Sequence, residues 1–230
     1  MNGKRKDRKI MTQNELFEIA LTTDPAQIGH HVQGGYMTGI YPISDDIKAI
    51  GPAFTIRLPG TDNAMLYYAM KQAPKGSMIV IDRMGDKRIA CLGEMVALSA
   101  KTLGMAGIVV DGPNTDTRAI RAMGFPVFST GRACVTNTFK GLDGEYGVPV
   151  NCGGCVVRPG DIVYGDVDGV ICAPADQFEE LVKAAKAMDA NEVRWRENFA
   201  EGGYVDKFVN LERLVKEGVK GAIGELSKVE

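Results

Sequence analysis

The chain has 230 residues, 45% hydrophobic and 24% charged, enough for one generous domain with a substantial core. Its formal net charge of −2 argues against nucleic acid as the main partner, because phosphate recognition wants a basic excess. No apolar run approaches the ~18 residues that span a membrane, and no signal-type apolar segment lies near the start. Five cysteines in a chain this size imply reduced thiols and a cytoplasmic address.

In chain order, "KRKDRK" (Lys4 to Lys9) is a basic terminal tail, with a contact to RNA or anionic lipid as the alternative reading. "NELFEIALTTDPAQIGHHVQ" predicts two helices around a Thr-Thr-Asp-Pro break, with Asp24 as a cap and Pro25 at a first helical position. "GGYMTGIYPIS" is a glycine-rich connection. "AIGPAFTIRL" predicts a strand that Pro52 confines to a sheet edge or a strand start. "DNAMLYYAMKQA" predicts a helix with Asp62 at the cap.

Short apolar runs then alternate with helical segments: "GSMIVID", "GEMVALSAKTLG" closing on Gly104, "MAGIVVD", "TDTRAIRAMG" closing on Gly124, and "FPVFST". Such alternation is the grammar of βαβ units on a parallel sheet, and fully apolar strands are expected where both faces are covered. "CVVRPGDIVYGDVDGVICAP" changes to strand and turn, an antiparallel meander. "PADQFEELVKAAKAMDANEVRWRENF" and the charged "VDKFVNLERLVKEGVKGAIGELSK" return to helix. The expected organisation is a tail over 1–11, one α/β domain over 12–205 and a helical arm over 206–230.

Ligands of parallel α/β sheets gather at the carboxyl ends of strands. Asp82 and Asp111 end two strands there, and Glu94 and Asp116 open the following helices. Each alone has a bland explanation, since the helix dipole favours a nearby carboxylate by ~0.3–1 kcal/mol. Four at one sheet edge suggest hard oxygen ligands for Mg²⁺ or Mn²⁺. The unpaired amides opening "GEMVALSAK", around Gly93, Met95 and Val96, can hold a carboxylate or a developing oxyanion. Metal and amides together would bind a 2-oxo acid and stabilise an enolate, the shared intermediate of pyruvate aldol cleavage and oxaloacetate decarboxylation.

The blocks "GPAFTI", "GSMIVID", "LGEMVALSAK", "GMAGIVVDG", "GFPVF", "CGG" and "PGDIVYGDVDGVICAP", in this order over roughly residues 45–175, resemble the RraA/HMG-aldolase family. That family includes metal-dependent 4-hydroxy-4-methyl-2-oxoglutarate and 4-carboxy-4-hydroxy-2-oxoadipate aldolases and regulators of ribonuclease E activity. The resemblance implies a three-layer β/β/α swivelling fold with helices at both ends, assembled as homotrimers or homohexamers with sites between subunits. It implies Asp116 as metal ligand and places Glu94 at the family's acidic position; with these, Glu94 is expected to orient a metal-bound water as proton donor, and the Gly93–Val96 amides to hold substrate oxygens.

Two positions depart from the family pattern. Thr115 stands where the family has the arginine that binds the pyruvyl group, and Ala119 stands where it has an acidic residue. Threonine supplies neither charge nor a bidentate fork. Arg118 lies on the same helical face and could reach back as a relocated substrate cation; a solvated surface arginine is the alternative. The leading expectation is therefore a metal-dependent carbon–carbon lyase. The alternatives are a non-catalytic regulator and a family enzyme with a changed substrate.

Other candidates read as structural. Cys152 and Cys155 have metal-knuckle spacing, but Cys91, Cys134 and Cys172 stand singly and offer no second pair. Asp166 and Asp168 shape a turn rather than a calcium loop. The adjacent His30 and His31 point about 100° apart on a helix, so capping, packing or a subunit contact is expected of them, with an intersubunit site as the alternative. Tyr36, Tyr67, Tyr68 and Trp195 belong to cores or oligomer contacts.

Overall fold

Residues 11–32 and 34–218 are described by a computed structural model; the Lys4–Lys9 run and residues 219–230 of the charged C-terminal segment lie outside them. The helices are α1 (Gln13–Ala20), α2 (Pro25–Gly29), α3 (Ala64–Met70), α4 (Glu94–Thr102), α5 (Thr117–Met123), α6 (Ala175–Ala200) and α7 (Leu211–Gly218). The strands are β1 (Tyr41–Pro42), β2 (Ala49–Arg57), β3 (Met78–Asp82), β4 (Gly107–Asn114) and β5 (Val127–Arg132). They continue with β6 (Glu145–Tyr146), β7 (Val150–Cys152), β8 (Cys155–Val157), β9 (Ile162–Asp166) and β10 (Gly169–Ala173). The chain divides into two compact units, Met1–Lys186 and Ala187–Glu230.

The first unit is mixed α/β, as the alternation implies. Its main sheet runs β1-β5-β4-β3-β2-β9-β10, with β6 pairing β2. Strands β2 to β5 are mutually parallel, while β9 and β10 form an antiparallel hairpin. Alternation of side chains across the strands builds two cores. On one face Ile56, Ile79, Ile81, Ile108 and Val110 pack with Leu66, Val96, Ala97 and Ile120 of α3, α4 and α5. On the other, Val80, Val109 and Phe128 pack with Val150 and Cys152 of β7, Val157 of β8 and Val163 of β9. A third cluster joins Ile162, Tyr164 and Ile171 to Ala20, Ile28 and Phe178 of α1, α2 and α6.

Five local expectations change. Strand β2 is interior rather than an edge: residues 49–52 pair with β9 and residues 53–57 with β3. Pro52 is tolerated because it sits at that handover, where its missing N–H costs no bond to β3. The α3 cap is Asn63, and Asp62 instead accepts from the backbones of Ala64 at 2.9 Å, Lys140 at 3.0 Å and Leu142, tying down a distant loop. Strand β4 continues past Asp111 to Asn114 through an irregularity between Val110 and Pro113. The meander is broken, because β8 pairs only with β7 in a separate two-stranded sheet. The connection before β2 also contributes a short strand, β1, on β5.

The second unit has its own small core. Trp195 stacks on Phe208 with centroids 5.6 Å apart and 14° between planes, and the buried Asn198 donates to the Tyr204 carbonyl at 2.9 Å. Its last helix, α7, carries the i,i+4 ion pairs Glu212–Lys216 and Arg213–Glu217. Among the described residues, no helix is long and apolar enough to cross a membrane.

Candidate active site at the start of α4 and α5

Helix α4 opens with Gly93, which offers no capping side chain. The gap is filled from the neighbouring turn: Asp116 Oδ2 accepts the Glu94 N–H at 3.0 Å. Only glycine permits this approach, since a Cβ at position 93 would lie 2.5 Å from Asp116 Oδ2 and 2.7 Å from the Thr115 methyl. Asp116 is itself the N-cap of α5, yet its side chain makes no bond to its own helix. Its φ of 51° is left-handed, a conformation that costs most side chains about 1 kcal/mol or more but suits Asp better than most. The turn thus aims an exposed carboxylate at the amino end of a different helix.

The remaining predicted residues fall around this notch. Met95, 58% exposed, and Val96, buried, follow Glu94 in the first turn of α4, where backbone amides have no intrahelical acceptor. The Glu94 carboxylate is half-buried and forms no hydrogen bond or ion pair within the described residues. Thr115 donates its N–H to Leu92 at 2.9 Å, and its hydroxyl stands 3.5 Å from Asp116 Oδ1, leaving that oxygen essentially open. Arg118 is exposed and has no partner among the described residues.

A positioning residue escaped the sequence reading. Asn114, 1% exposed, donates to the Thr115 carbonyl at 3.0 Å and the Thr117 hydroxyl at 2.9 Å, and accepts from Ser129 at 3.0 Å. It sets the turn that carries Asp116. The available signal was an amide side chain just after the Asp-Gly-Pro that ends the apolar run. Arg132, paired in register with Asn114, lines a pocket of about 150 Å³ with Thr117, placing a second exposed guanidinium at this edge.

The four acids do not form one cluster. Asp82 and Asp111, level with one another across β3 and β4, lie on the face covered by the β7–β8 hairpin. Asp82 accepts from Met84 N at 2.6 Å and Asn151 N at 3.1 Å; Asp111 accepts from Gly153 N at 3.1 Å and pairs with Lys87. Both carboxylates are staples for the hairpin. Among the described residues, no three His, Cys, Asp or Glu side chains stand together as a metal cage. The residues present suit a hydrated divalent ion, which takes one carboxylate and keeps several waters, and Asp116 Oδ1 is the oxygen free to hold it.

Cys152, Cys155 and the histidines lie away from the notch. Cys152 and Cys155 flank the Gly153-Gly154 turn between β7 and β8 as free, buried thiols. Burial, then the neighbouring Asp111 and Asp82, pushes the Cys152 thiol well above its usual range. His30, at the end of α2, and His31 are exposed. Asp168 N donates to Asp166 Oδ1 at 3.0 Å, the tight turn expected between β9 and β10.

A parallel βα sheet backed by a second β layer, with an aspartate set against the amino end of a neighbouring helix, defines the class of mixed α/β protein to which the chain belongs. Residues 23–172 match the RraA-like family (Aldolase/RraA), and the chain belongs to it. It is 40% identical over 153 residues to a Halalkalibacterium halodurans protein named "Putative 4-hydroxy-4-methyl-2-oxoglutarate aldolase", covering 66% of this chain and 72% of that one. An uncharacterized Methanocaldococcus jannaschii protein is 34% identical, over 76% of this chain and 85% of its own length. Among solved structures, Streptomyces coelicolor RraAS2, described as an unusual member of the RNase ES inhibitor RraA protein family, superposes with a TM-score of 0.72. Its sequence identity is 28%, and the match covers 82% of this chain and 99% of that one.

Proposed function

We propose that the protein is a divalent-metal-dependent carbon–carbon lyase acting on a 2-oxo or hydroxy acid, of the pyruvate-aldolase or oxaloacetate-decarboxylase type. The observation that carries this reading is the Asp116 carboxylate, held by one oxygen against Glu94 N and met at the other only by the Thr115 hydroxyl at 3.5 Å. The aldolase-named relative supports the reaction class. Mg²⁺ or Mn²⁺ held by Asp116 would supply Lewis-acid polarisation of a substrate keto oxygen.

The chain's own residues supply the rest. Amides at Met95 and Val96 hold the substrate carboxylate at the positive end of α4. Glu94 stands beside Asp116 as the group that holds and returns a proton through water. Arg118, with no competing partner among the described residues, is the substrate cation in place of Thr115, which packs its methyl group against Gly93. Assembly as a homotrimer or homohexamer would cover the exposed Tyr68, Phe139 and Leu142 and bring further residues to the notch. The free thiols accord with a cytoplasmic address.

A second reading, a non-catalytic regulator, draws support from the missing charge at Thr115 and from RraAS2. Assays of oxaloacetate decarboxylation and of pyruvate-releasing aldol cleavage, with and without Mg²⁺, separate the two. Metal-dependent turnover that disappears in Asp116→Ala supports the lyase. An inactive parent that gains activity in Thr115→Arg supports a lapsed or redirected site, and absence of metal binding removes the enzymatic reading.

A further inference from the structure

The first unit contains a cavity of about 480 Å³ among β8, β10, the start of α6 and the segment after α2, within the ~300–1,000 Å³ of small-molecule sites. It is not part of the Asp116 notch. The Asp161 carbonyl accepts from Ala53 N, and Ala53 is level with Met78 and Gly107, the first residues of β3 and β4. Asp116 lies beyond the other end of β4.

Asp161 and Cys172 line this cavity, with Arg158 and Gln177 nearer its mouth. Asp161 is 9% exposed, and its Oδ2 accepts from Arg158 N at 2.8 Å and the Cys172 thiol at 3.8 Å. Those bonds explain the turn before β9 but use only one oxygen. Oδ1 accepts nothing among the described residues and is not sealed in the core, so it opens into the cavity. The Arg158 guanidinium likewise has no hydrogen-bond or ion-pair partner among the described residues and does not pair with Asp161. Burial, and then Asp161, pushes the Cys172 thiol up to about 12, so it stays protonated as a donor and the cavity has no reactive thiolate.

A carboxylate oxygen with unspent acceptor capacity on a cavity wall is satisfied best by a charged donor. An unpaired guanidinium on the same cavity selects a carboxylate by its fork geometry. We propose that this cavity is a second ligand site for a small zwitterion of the α-amino-acid type, its ammonium on Asp161 Oδ1 and its carboxylate on Arg158. The inference stands apart from the lyase reading.

Isothermal titration calorimetry of the full chain with the standard L-amino acids tests it, with acetate and propylamine as single-charge probes. At least one amino acid should bind saturably, with both probes weaker by about tenfold or more. Arg158→Gln, at an exposed and unpartnered side chain, should weaken that amino acid about tenfold with no change in melting temperature, and Asp161→Asn should act likewise. Binding should persist in Asp116→Ala. Absence of saturable binding by every amino acid, acetate binding as tightly as the best amino acid, indifference to Arg158→Gln, or loss in Asp116→Ala would each overturn the proposal.

Discussion

Two pairs of carboxylates sit at the carboxyl ends of the same strands and behave oppositely. Asp82 and Asp111 are saturated, by Asn151 N and Met84 N in one case and by Gly153 N and Lys87 in the other. Asp116 spends one oxygen on Glu94 N, and the Glu94 carboxylate spends none. The strand pleat makes the division: Asp82 and Asp111 follow Val80 and Val109 onto the hairpin face, whereas α4 and α5 pack on the other. Proximity to a strand end therefore does not identify a reactive acid; unspent hydrogen-bonding capacity does.

The largest test of that contrast is Asp116→Ala. Metal-dependent turnover should fall by about 100-fold or more, while stability drops by about 1–2 kcal/mol for the lost Glu94 N bond and for a left-handed backbone that Ala tolerates less well than Asp; steady-state kinetics beside thermal melts reads both. Asp111→Ala should do the reverse. It leaves the buried Gly153 N–H unpaired, at a cost of about 1–3 kcal/mol, read as a lower urea midpoint, with kcat per folded molecule retained. If Asp111→Ala abolished turnover at full stability, the division between staple and site would fail.

Smaller effects sharpen the picture. Arg118→Ala should raise KM about tenfold, the loss of one charge-assisted contact, with kcat and melting temperature held. An unchanged KM would return Arg118 to the solvated surface. The smallest effect is acidic. Hydrogen bonds from Ala64, then Leu142 and Lys140, hold Asp62 down to about 2 against an ordinary 3.8. A depressed folded value stabilises above the unfolded one, so this contribution is complete above pH 3.8 and is lost as pH falls towards about 2. Asp62→Asn should melt lower at neutral pH and lose less of its remaining stability across that window, as thermal denaturation at a series of pH values will show.

Much of this was legible before any coordinates. Uniform apolar runs such as "IVI" and "IVV" fix buried parallel strands, because only strands covered on both faces tolerate them. Pro25, Gly104 and Gly124 punctuate helices as their backbones require. The match to the RraA-like family follows from the same blocks.

What stayed hidden depends on neighbours remote in sequence. Pro52 lies inside the sheet because β2 changes partners beside it, and a proline reports its missing donor but not which edge has no use for it. Asp62 serves a loop nearly eighty residues away. The sequence by itself determined where the carboxylates stand along the strands and helices, since that follows from local periodicity and turn chemistry. Only the tertiary structure decided which of them are spent, because hydrogen-bond saturation is set by the backbones that packing brings alongside: a hairpin for Asp82 and Asp111, and an uncapped helix for Asp116.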